Sequence, residues 1–120
     1  MKRTALALAL VLMVSTAALA IPQMPTETIT GTVIDTACYA GMKHGAEEKG
    51  CTEMCLNMGV PASILTDSGE VIMLMPMADT NPEPYSKVKE FASQKVEVTG
   101  MASERGGLKV FFVADIKAVN

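Results

Sequence analysis

Alternation of apolar and polar residues dominates the chain from Glu27 onward, with one long interruption. Glu27–Asp35 (ETITGTVID) sets Ile29, Val33 and Ile34 among threonines, the pattern of a strand. Gly31 in its middle predicts a bulge or a tight bend. From Asp35 to Gly59 the alternation stops. This stretch is polar and punctuated by glycine, and only its second half, about Glu47 to Met58, reads as a short helix. Gly59 stands where a helix C-terminal cap belongs, and Pro61 blocks continuation.

Beyond it the regular pattern returns. Ala62–Thr66 and Glu70–Met75 predict two strands around the turn Asp67-Ser68-Gly69. Asn81-Pro82 predicts a helix start, with Asn81 as N-cap, and Tyr85, Val88, Phe91 and Ala92 line one face at helical spacing. Gln94–Thr99 alternates strictly. Glu104-Arg105-Gly106-Gly107 then turns the chain into a last strand, Leu108–Val113, extending through Ile116. This order predicts a mainly β fold with one or two short helices: an OB-like five-stranded barrel carrying an insertion between strands 1 and 2, in which closing the sheet removes exposed edges. A small open α+β sheet is the competing plan.

The first residues change the setting. Lys2 and Arg3, the apolar run Ala5–Val14 and the small residues of Ala18-Leu19-Ala20 form the three parts of a secretory leader. The predicted organisation is a signal peptide over 1–20, a flexible N-terminal segment over 21–26 and the OB-like domain over 27–120. The apolar run is short for a membrane span and no charged stop-transfer cluster follows it, so no membrane insertion is expected after cleavage. The expected location is periplasmic or secreted. Losing Lys2 and Arg3 leaves eight basic residues against thirteen acidic ones, a formal charge of −5. That balance, with no Lys/Arg cluster and no Trp, argues against nucleic acid as a partner.

Candidate chemistry is confined to the interruption. All three cysteines, Cys38, Cys51 and Cys55, and the single His44 lie there, in the spacing C-x5-H-x6-C-x3-C. On a helix, Cys51, Met54, Cys55 and Met58 share a face at i, i+3, i+4 and i+7. Thiols in an oxidising compartment ordinarily pair. Cys51 and Cys55 suit a disulfide poorly, because Cβ atoms one helical turn apart are about 5–6 Å from each other and a disulfide needs about 3.8 Å. Cys38 with Cys51 or with Cys55 is the better staple, and either leaves an odd thiol. The alternative uses all three thiolates as metal ligands, with His44 as the preferred fourth donor and Met42, Met54 or Met58 as alternates. Such a set suits a copper ion or a zinc ion, and a Met-rich chain tilts the expectation to copper. Packing alone is the bland reading of the Met stripe. No nucleophile–base arrangement is legible, C-x-x-C is absent, and nothing supports an enzyme.

Thr30-Gly31-Thr32-Val33-Ile34-Asp35 with Cys38-Tyr39, then Cys51-x3-Cys55, Leu65-Thr66-Asp67, Lys95-Val96-Glu97-Val98-Thr99-Gly100 and Glu104-Arg105-Gly106-Gly107-Leu108-Lys109-Val110 resemble small exported bacterial OB-like single-domain proteins with a D-x-x-C-Y … C-x3-C signature, a largely uncharacterised family. The resemblance runs from about Ile29 to Val119. It implies His44-Gly45 as the counterpart of a His-Gly after the first Cys. Lys49-Gly50 stands where relatives carry a His before the second Cys, which implies a Met in that place and again favours copper. The expected function is thus exported soft-metal binding through a three-Cys cluster, with a possible protein partner in the periplasm. A disulfide-stapled OB-like module for a protein or saccharide, or a thiol redox protein, is the alternative.

Overall fold

The computed structural model describes residues 25–77 and 82–119. The leader over 1–20, residues 21–24 and Asn81 lie outside them. The elements are β1 (Glu27–Asp35), α1 (Thr36–Ala40), α2 (Lys49–Asn57), β2 (Ala62–Thr66), β3 (Val71–Pro76), α3 (Glu83–Ser86), a 3-10 turn over Val88–Phe91, β4 (Lys95–Arg105) and β5 (Leu108–Ala118).

The five strands close into a barrel in the order β1-β2-β3-β5-β4. β1 belongs to two neighbours: Glu27–Thr32 pair antiparallel with β4, and Gly31–Asp35 pair antiparallel with β2. The change of partner falls at Gly31, where a Cβ would come within 2.4 Å of the Leu65 carbonyl oxygen, so only glycine lets the two strands approach. The bulge itself is in β5, where Ala114 is left unpaired between Asp115 opposite Thr99 and Val113 opposite Gly100. β3 and β5 pair parallel, Met73 opposite Val110 through Pro76 opposite Val113. Two tight turns follow the expected chemistry: Gly69 has φ +85°, and Gly106 and Gly107 both have positive φ between Arg105 and Leu108.

The barrel interior is apolar: Val33, Ile64, Leu74, Val96, Val98, Phe111 and Val113 are all fully buried. One end is plugged by Leu56 from α2 and by Val88 and Ala92, with Tyr85 and Phe91 packed against them. The single helix expected through Tyr85, Val88, Phe91 and Ala92 is two short pieces, α3 and the 3-10 turn, and Pro82 occupies the N-cap position of α3. The expected face still points inward. α2 is held by a hydrogen bond from Ser93 Oγ to the buried Thr52 Oγ1 (3.3 Å), and Ser93 adopts φ +58° while its N–H donates to the Val33 carbonyl. The insertion therefore sits against the barrel end at which β1 stops. Among the described residues no helix is long and apolar enough to cross a membrane.

Candidate metal centre

The last residue of β1 builds the site. Asp35 pairs with Ala62 in the sheet, is fully buried, and caps α1: its Oδ1 accepts the Cys38 N–H at 2.8 Å. An aspartate at the N-cap satisfies one of the donors that a helix start leaves free. α1 is further tied down by Thr36, whose N–H and hydroxyl both reach the Pro61 carbonyl, at 2.9 and 2.7 Å. Cys38 is thereby fixed one turn beyond the strand end.

α1 and α2 end in the same way. After α1 the Lys43 N–H donates to the Cys38 carbonyl (2.9 Å) and the Met42 N–H to that of Tyr39 (3.0 Å). After α2 the Val60 N–H donates to the Cys55 carbonyl and the Gly59 N–H to that of Leu56, both at 3.1 Å. Both are Schellman ends, and each cysteine supplies the carbonyl that closes the wider turn, five residues back from its donor. The left-handed residue is Gly59 in the second (φ +92°) but Met42 in the first (φ +54°), where a side chain is strained.

Between these ends four side chains converge. One donor atom from each of Asp35, Cys38, His44 and Cys55 lies within 4.8 Å of the other three. The Cys38 and Cys55 sulfurs are 3.3 Å apart, and all three cysteines are free thiols. His44 Nε2 lies 2.7 Å from Asp35 Oδ2, with side-chain exposures of 3% and 0%. A carbonyl oxygen can only accept, so the 2.9 Å contact of His44 Nδ1 with the Gly45 carbonyl makes Nδ1 the donor. That leaves Nε2 facing the carboxylate. Neither Nε2 nor Oδ2 has a hydrogen-bond partner of acceptable geometry, although they are close. In a neutral ring two lone pairs would face one another there, an arrangement relieved by a proton on Nε2 or, once the two atoms part from 2.7 Å, by a cation between them.

The electrostatics agree. The His44 pKa is raised, first by its hydrogen bond to Gly45 and, against desolvation, by the charge and side chain of Asp35 and the charge of Glu48. The Cys38 thiol is pushed up to about 11, first by its hydrogen bond with Cys55, then by desolvation and by Asp35. Without a cation the pocket holds its protons; a cation would have to displace them. The four donors, two sulfurs, one imidazole nitrogen and one carboxylate oxygen, form a group that could hold a metal ion.

Of the seven residues singled out in the sequence, the structure brings together Cys38, His44 and Cys55. Cys51 is exposed, and Met42, Met54 and Met58 are 90%, 56% and 68% exposed. The reason is rotational. At about 100° per residue, Thr52 and Leu56 flank Cys55 on one side of α2, while Cys51, Met54 and Met58 flank it on the other. Barrel packing takes the first side, so the sulfur stripe faces outward apart from Cys55. Asp35 joins the group unannounced. Its signal in the sequence was that of an N-cap, an acidic residue at a strand end three positions before Cys38.

No protein-family model matches the chain, and no curated protein or solved structure matches it.

Proposed function

We propose that this protein binds one transition-metal ion through Asp35, Cys38, His44 and Cys55, and that the ion is Zn²⁺. The observation that carries the reading is the buried pair of His44 Nε2 and Asp35 Oδ2, aimed at each other without a hydrogen bond beside two free sulfurs. Each is oriented from behind, Nδ1–H by the Gly45 carbonyl and Oδ1 by the Cys38 N–H, as outer partners orient metal ligands. Bonds of about 2.0–2.3 Å to a tetrahedral ion place neighbouring donors about 3.3–3.8 Å apart. The two sulfurs, at 3.3 Å, need only a few tenths of an ångström to comply, and Nε2 and Oδ2, at 2.7 Å, must part by about 0.6 Å. A hard carboxylate among the donors favours zinc over Cu(I), and the thioethers on which the copper expectation rested are in solvent.

The strand order, with β3 and β5 parallel and the helical segment between β3 and β4, supports reading the barrel as OB-like. The leader-type N-terminus supports action in the periplasm or outside the cell. In that setting the 3.3 Å approach of Cys38 and Cys55 also favours a second reading, a structural disulfide between these two.

Native mass spectrometry of the reduced protein with Zn²⁺ or Cu(I) tests the proposal. One zinc per chain is expected, unchanged in Cys51→Ser and lost in Cys55→Ser. No adduct on a chain with all three thiols free would overturn the metal reading. Equal damage from Cys51→Ser and Cys55→Ser would overturn the ligand assignment.

A further inference from the structure

Three features remain after the site is assigned: the shallow apolar cavity of about 240 Å³ between α2 and α3, the exposed sulfur stripe on α2, and the proximity of the two liganding thiols. The third goes furthest. Cys38 and Cys55 occupy matching positions in two Schellman ends, with their backbone carbonyls pinned by Lys43 and Val60. The sulfurs themselves are in contact at 3.3 Å. A disulfide needs about 2.05 Å, so an approach of roughly 1.3 Å closes the bond.

We propose that the centre is a redox-controlled metal site: oxidation of Cys38 and Cys55 to a disulfide ejects the zinc, and reduction restores the site. The inference rests on the zinc reading above. The oxidant is a small-molecule or protein disulfide. Cys38, the more exposed of the two, attacks one sulfur of that disulfide; its S–S bond breaks and one half leaves as thiolate. The Cys55 sulfur then attacks Cys38 in the mixed disulfide, the internal S–S bond forms, and the second half leaves. Two electrons pass from the protein sulfurs to the oxidant, each released thiolate takes up a proton, and Zn²⁺ departs with its charge unchanged. What remains for the metal is one imidazole and one carboxylate, half of the donor set. Cys51 is exposed and apart from the four donors, and remains a free thiol throughout.

The test uses the full zinc-loaded chain, titrated with oxidised glutathione while a chromogenic chelator reports free zinc and alkylation counts thiols. The expected result is one zinc released for every two thiols lost. Digestion after Glu53, which separates Cys51 from Cys55, should recover a Cys38–Cys55 cross-link. Affinity for zinc should fall by at least about 100-fold on oxidation, beyond the 10- to 100-fold cost of losing an outer partner, and return with reductant. Cys51→Ser should show the same coupling. Zinc retained after two thiols are lost, or a cross-link through Cys51, overturns the switch and leaves the zinc site standing. A reduced chain that takes up no zinc overturns both.

Discussion

The barrel wall and the β1–β2 insertion are built on different principles. The wall is held by strand ladders and by an interior of fully buried Val33, Ile64, Leu74, Val96, Val98, Phe111 and Val113. The insertion has two short helices, no buried residue in α1, and only Thr52, Cys55 and Leu56 buried in α2. Its order comes from directed contacts instead: the Asp35 cap, two Schellman ends and the hydrogen bond between Ser93 and Thr52. A region held by packing is stable whatever is bound. A region held by a few polar contacts around a group of donors gains its remaining stability from what those donors bind.

The sharpest break in this contrast is a core deletion. Phe111→Ala should cost about 3–5 kcal/mol, read as a fall in the denaturation midpoint, with and without zinc. Next in size, His44→Ala should weaken zinc binding by about 100-fold or more and lower the midpoint of the metal-free barrel by less than Phe111→Ala does, chiefly below about pH 6.5 where the protonated ring faces Asp35, which calorimetry with and without zinc would separate. Asp35→Asn is finer still: an amide oxygen keeps the α1 cap but loses the charged donor, so the far-UV spectrum should be retained while zinc affinity falls.

The pH dependence should run in opposite directions in the two states. His44 has a raised pKa, so its contribution to the metal-free fold is complete below the ordinary imidazole value near 6.5 and fades as pH climbs through the folded value. The Cys38 thiol, at about 11, contributes likewise below its ordinary value of 9.0 and loses that contribution between there and 11. Zinc must displace these same protons, so the stabilisation it adds should grow from pH 6 to pH 8 as that of the metal-free protein declines. Melting curves at both values check the crossing. The smallest effect is Met42→Gly, which relieves a left-handed side chain and should raise the melting temperature by an amount equivalent to about 1 kcal/mol.

How much of this was legible follows the same divide. Strands set by alternation and turns set by glycine were readable because one residue's neighbours in sequence carry the signal: Gly69, Gly106 and Gly107 adopt positive φ where the turns required it. β4 and β5 run longer than expected, to Arg105 and Ala118, because they pair with each other from Val96 opposite Ala118 to Arg105 opposite Leu108, across the bulge at Ala114. In the insertion, the residue types, their segment and the grouping of Cys38, His44 and Cys55 were readable, but the remaining donor was not. Which side of α2 faces inward depends on the barrel end it meets, and that decides that Cys55 enters the site while Cys51 and Met54 do not. Asp35 was invisible as a donor because its partner His44 is nine residues away across α1, a separation with no periodic signature.

Asp35 also limits how the site can be moved. It is at once the last rung of the β1–β2 ladder, the cap of α1 and one of the four donors. The cysteine-bearing segment is therefore not a portable cassette. Residues 36–58 transplanted into another host would carry both sulfurs and the imidazole but leave behind the carboxylate that orients them. A recipient would need a strand ending in aspartate at the same height, beside a second strand that begins opposite it. In this protein the boundary between scaffold and site runs through a single side chain.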